Sequence, residues 1–168
     1  MSSPTADLTL AMPDVAQIMR VGSRLLVAIL IGALIGIQRE LTHKPAGLRT
    51  HMLVALGTAM VVVTAAEAGM ASADLSRIIQ GVITGIGFLG GGAILKLTAE
   101  HEIHGLTTAA GIWMTAAAAA AAGLGQLGIA LLGVVFGLLI LGACVKVEKW
   151  LGDRVSRDAA NRRPPGRP

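Results

Sequence analysis

The chain has 168 residues, of which 54% are hydrophobic and only 14% charged, and its mean hydropathy is +0.70. A soluble domain usually carries about 25% charged residues, so this composition excludes a disordered chain and argues against a soluble globule. The net charge is +4, but the basic residues flank apolar segments and no RNA-binding aromatic motif occurs, so nucleic acid is not expected as a partner.

Aromatic residues are few, and 22 glycines accompany Ala, Leu, Val and Ile, a mixture that suits closely packed membrane helices. The single cysteine, Cys144, excludes an intrachain disulfide and a Cys-based zinc site. Residues 1–13 read as a flexible tail without a signal-peptide pattern. Asp14 is placed to N-cap an amphipathic stretch leading into the first apolar run, Leu25 to Ile37. That run is short, so its helix is expected to extend back through Val15, with Arg20 and Arg24 snorkelling.

Four more apolar runs follow: Met52 to Ala66, Ile78 to Leu95, Thr107 to Ala122, and Leu127 to Val145. With their flanking residues, each reaches the length of a membrane span of roughly 17–25 residues. Helices satisfy their own backbone in hydrocarbon, and no strand alternation is present, so the predicted fold is an all-α bundle of about five transmembrane helices over residues 14–150. Residues 151–168 are basic, end in Pro-Pro-Gly-Arg-Pro, and read as a disordered tail. Five spans place eleven Lys and Arg on one side, including Arg39, Lys44 and Arg49, and three on the other, Arg20, Arg24 and Arg77. This asymmetry puts the N-terminus outside and the C-terminus in the cytoplasm.

The third run holds Gly81, Gly85, Gly87, Gly90, Gly91 and Gly92. Gly85 to Gly90 matches G-x-G-x-x-G, but a dinucleotide loop needs a preceding strand, and this stretch lies inside an apolar run. The Gly81–Gly85 spacing instead suits close helix packing, within one chain or in a homo-oligomer. Three successive glycines also make a broken helix lining a solute path an alternative. Asp74, Arg77 and Gln80 share a face by i, i+3 spacing. They read either as a cap with surface ion pairs or as a polar cluster at the mouth of the bundle. Glu67 and Asp74 are hard oxygen ligands of the kind magnesium accepts, yet two carboxylates do not make a site. His101-x-x-His104 lacks a third zinc ligand. No nucleophile with partners is visible, so neither an enzyme nor a bound cofactor is expected.

Taken together in chain order, several motifs resemble the MgtC/SapB family of bacterial inner-membrane proteins. They are Gly36-Ile37-Gln38-Arg39-Glu40, Lys44-Pro45-Ala46-Gly47-Leu48-Arg49-Thr50-His51, Asp74-Leu75-Ser76-Arg77, Gly85 to Gly90, and Gly105-Leu106-Thr107-Thr108-Ala109-Ala110 with Trp113 following. The resemblance runs from about Leu25 to Trp150. It implies a multi-helix membrane domain in the inner membrane, linked to magnesium limitation or acid stress, that modulates other membrane proteins such as an ATP synthase or a transporter. It marks Arg39, Glu40, Arg49, Asp74, Arg77, Thr107 and Thr108 as the polar signature. Two departures stand out. Relatives often have Glu where this chain has Gln38, and many carry a soluble C-terminal regulatory domain, so ligand sensing by such a domain is not expected here. The alternative function is a transporter or channel for a small cation such as magnesium or protons.

Overall fold

The computed structural model describes residues 14–95 and 104–161. They form five α-helices: α1 Val15–Leu41, α2 Leu48–Glu67, α3 Ser72–Leu95, α4 Leu106–Gly123 and α5 Leu127–Asn161. All five are long and apolar enough to cross a bilayer, and the described residues contain no strand. α1 does extend back to Val15. Asp14 occupies its N-cap position, but only its backbone carbonyl bonds the helix, accepting from the Ile18 N–H.

The turns follow from local chemistry. α2 and α4 both end in Schellman motifs, with Gly69 at φ +67° and Gly125 at φ +79° in the left-handed conformation that a side chain resists. In the first, Gly69 N–H bonds the Ala66 carbonyl and Met70 N–H the Ala65 carbonyl; Gly125 to Ala122 and Gln126 to Ala121 repeat the pattern. α3 begins at Ser72, so Asp74 lies inside its first turn rather than at its cap. There it still favours the helix dipole. α3 also continues through Gly90 to Gly92 without a break. α5 has 35 residues and a length of about 52 Å at 1.5 Å per residue. Its span ends at Val145, so the remainder projects beyond a core of about 30 Å. Composition placed a disordered tail from residue 151, whereas the helix runs to Asn161. Arg154 stacks over the Trp150 ring one turn earlier, at 3.8 Å, which favours the helical path.

Packing is set by residue size. α4 lies at the centre and touches every other helix. Half of its span is buried, against 11% for α3 and for α5. Its alanines give neighbouring backbones room to approach, and Ala119 and Ala122 join Ala28 and Ile31 of α1 and Ala55 and Ala59 of α2 in the core. α1 and α2 cross in close contact. A Cβ added at Gly32 would sit 2.5 Å from the His51 carbonyl oxygen, and one at Gly36 would sit 2.7 Å from Leu48 Cα. The small-xxx-small face that joins helices within the chain is therefore Gly32–Gly36, not the Gly81–Gly85 face. Added Cβ atoms at Gly81, Gly85, Gly87, Gly91 and Gly92 meet nothing within 4 Å, and only Gly90 approaches a neighbour, Ala109 at 3.5 Å. α3 and α5 flank α4 and leave an apolar cavity of about 320 Å³ lined by Ile83, Ile86, Trp113, Ala117, Leu124 and Ile129, among others.

Candidate functional site

The antiparallel helices bring two polar groups of residues to opposite ends of the bundle. At one end α1 starts while α2 and α4 finish. Glu67 there accepts from Arg20 at 3.1 Å and from Gln17 at 3.3 Å, and pairs with Arg24 at 3.6 Å. Arg24 also donates to the Gly123 carbonyl at the end of α4, at 3.3 Å, satisfying a helix C-terminus. Both Glu67 oxygens already hold donors, a poor arrangement for a magnesium ligand. Among the described residues no group of three His, Cys, Asp or Glu is placed to hold a metal. Asp74, Arg77 and Gln80 are all exposed on α3, so the face they share points away from the bundle instead of closing a cluster at its mouth.

At the other end α1 finishes while α2 and α4 start. Arg39 is 3% exposed and His51 fully buried. The Arg39 guanidinium donates to Thr108 Oγ1 at 2.6 Å. The His51 Nδ1 lies 2.7 Å from Thr115 Oγ1, and that hydroxyl donates to the Gly111 carbonyl at 2.9 Å. Thr115 Oγ1 thus joins the imidazole of α2 to the backbone of α4. Thr108, Gly111 and Thr115 follow i, i+3, i+7 spacing and present one polar seam of α4 to α1 and α2. The His51 ring lies beside Gly111, where a Cβ would sit 3.6 Å from the ring Cε1 in ordinary contact.

This seam leaves buried polar atoms without partners. Arg39 Nε, His51 Nε2 and the Gln38 side-chain oxygen make no hydrogen bond. No carboxylate among the described residues pairs with Arg39. The adjacent Glu40 is exposed and turns away. Its carboxylate accepts from the Leu48 N–H at 3.1 Å and so caps α2 from the preceding helix. Gly47 leaves room for this carboxylate, which a Cβ at that position would have to displace. Arg49 and Thr107 are exposed and take no part in the seam. Of the polar signature, then, Arg39 and Thr108 meet, while Glu40, Arg49, Asp74, Arg77 and Thr107 lie elsewhere. His101 lies outside the described residues.

The connection over this end, residues 42–47, is strained. His43 at φ +53° and Ala46 at φ +58° both adopt the left-handed region without being glycine. Ala46 packs against the cluster of Ile86, Ile112 and Ala116, and its carbonyl approaches the His51 ring. His51, Thr115 and Gly111 were not candidates on sequence grounds. The available signal was the seven-residue spacing of two threonines across a glycine in an otherwise alanine-rich helix.

Five apolar helices around a buried polar seam define a multi-pass membrane protein. The MgtC family model matches residues 25–150. The chain belongs to the MgtC family. Protein SrpB of Synechococcus elongatus is 43% identical over 141 residues, covering 76% of this chain and 78% of that protein. YhiD of Escherichia coli K12 is 40% identical over 126 residues, covering 70% of this chain and 57% of YhiD. Protein MgtC of Brucella abortus is 41% identical over 111 residues, covering 65% of this chain and 44% of that protein. The chain thus spans about half the length of the latter two relatives. No solved structure matches it.

Proposed function

We propose that this chain is an inner-membrane protein of magnesium homeostasis that acts by modulating other membrane proteins rather than by conducting Mg²⁺. Its N-terminus faces outward and its C-terminus the cytoplasm, the side favoured by the Lys and Arg distribution. The link to magnesium is supported by kinship with a protein named "Putative magnesium transporter YhiD" and with MgtC of Brucella.

One observation supports modulation over conduction. The buried polar seam is cationic: Arg39 with His51 and threonines, and no carboxylate among the described buried residues. Mg²⁺ keeps several waters and takes carboxylate or phosphate oxygens. A buried guanidinium in its path opposes it by direct repulsion, undiminished by solvent. The test has two arms on the full chain. Liposomes carrying the purified protein are expected to show no Mg²⁺ or proton flux above protein-free liposomes. Mild-detergent purification from native membranes is expected to enrich the same membrane proteins reproducibly. Mg²⁺ flux that rises when Arg39 is replaced by Gln would overturn this reading in favour of a transporter.

A further inference from the structure

We infer that the groove between α3, α4 and α5 holds one acyl chain of a phospholipid from the leaflet into which α4 runs. This rests on the five-helix membrane fold and is independent of the modulatory reading.

The groove follows from residue size. α3 and α4 lie close where α4 starts: a Cβ added at Gly105 would sit 2.6 Å from the Ala93 carbonyl oxygen, and one at Gly90 would sit 3.5 Å from Ala109. Ile86, packed with Ile112 and Ala116, closes that side. Toward the end of α4, α5 lies on α4 without packing along α3, and the cavity of about 320 Å³ opens between the two flanking helices. Ala117 and Ala120 form its floor and are too short to fill it, while Ile83 and Ile129 stand on either side. Ala117 is therefore exposed on a helix whose span is half buried.

Length, lining and mouth select the occupant. From Trp113 to Leu124 the groove follows α4 for about 16 Å at 1.5 Å per residue. That is the depth of one leaflet, since the hydrocarbon core is about 30 Å thick. A partner's transmembrane helix would lie along the whole span, whereas this groove stops near the middle, at Ile86. The lining is almost wholly apolar, so water gains nothing by entering, and an unfilled slot forfeits dispersion contacts along its walls. Hydrocarbon from the surrounding leaflet restores those contacts. At the mouth stands the exposed Gln126, in the turn between α4 and α5. Its amide lies at the level where an acyl chain joins its headgroup, and its N–H can donate to the ester carbonyl there. A free fatty acid would bring a carboxylate instead. No Lys, Arg or His lines the groove to meet one, and the nearby Arg24 is already engaged by Glu67 and the Gly123 carbonyl.

The test uses the full chain, purified in mild detergent and exchanged into lipid-free detergent. Native mass spectrometry is expected to show one phospholipid retained per chain. Ala117→Leu and Ala120→Leu place larger side chains in the groove and are expected to keep the wild-type unfolding midpoint but lose that phospholipid. Gly81→Ala, outside the groove, is expected to retain it. A second arm needs no substitution in the groove. Trp150→Phe leaves Trp113 as the single tryptophan, at the deep end of the groove. After loading with phospholipid brominated near the chain end, its emission is expected to stay quenched through the same exchange. Four results would each overturn the inference: no retained phospholipid in wild type, full retention in both leucine variants, a free fatty acid or a second copy of the chain in its place, or Trp113 emission that recovers on exchange.

Discussion

The two ends of the bundle use the same residue type in opposite ways. Arg20 and Arg24 sit around Glu67, near water, and one of them also closes the end of α4. Their charge is met within the chain, and nothing further is asked of them. Arg39, by contrast, is enclosed, holds one threonine hydroxyl, and keeps a buried N–H unused, while the adjacent Glu40 is spent on capping α2. Burying a charge without a counter-ion is costly. A fold under selection for stability alone would place an apolar side chain there. The difference between the two ends separates arginines that support the structure from one held in spite of it.

Substitutions can break or sharpen that contrast, and the largest effect is expected where α1 meets α2. Gly32→Val drives a side chain into the His51 backbone and should destabilise the bundle by about 3 kcal/mol, the upper end for overpacking. Loss of the wild-type peak on size exclusion and a lowered unfolding midpoint would register it. Thr115→Val keeps the shape but strands the His51 Nδ1, at a cost of about 2 kcal/mol for an unsatisfied buried polar atom; denaturant titration in detergent measures this. At the compensated end, Glu67→Gln should lower the midpoint less, and the loss should shrink as salt is raised, because these groups are screened. The smallest effect is expected from Gly81→Ala with Gly85→Ala. Each methyl enters open space, and helix propensity favours Ala by about 1 kcal/mol per site, so the midpoint should hold or rise slightly. A marked loss would show that this face of α3 is occupied in the membrane after all.

The five spans were legible in the sequence because hydropathy acts over whole segments, and every connection had its own glycine or proline. Gly123 to Gln126, for example, marked the turn that Gly125 makes. Small residues were less informative. Gly32–Gly36 and Gly81–Gly85 have identical spacing, yet one pair lies on a neighbouring backbone and the other faces outward, and only the neighbour decides which. The same holds for polar residues. Asp74, Arg77 and Gln80 share a face by their spacing, but periodicity does not say whether a face turns in or out. Arg39 and Thr108 stood out individually through their motifs. Their meeting depends on how α1 and α4 pair, across 69 residues of chain, and His51 entered the site through that same pairing.

Arg39 is retained against the interest of the fold. The decisive measurement is the unfolding midpoint of Arg39→Met beside wild type in lipid nanodiscs. The midpoint is expected to equal or exceed that of wild type, because an apolar side chain of similar length relieves a buried, uncompensated charge. A fall approaching that of Gly32→Val would contradict it and make Arg39 a structural residue.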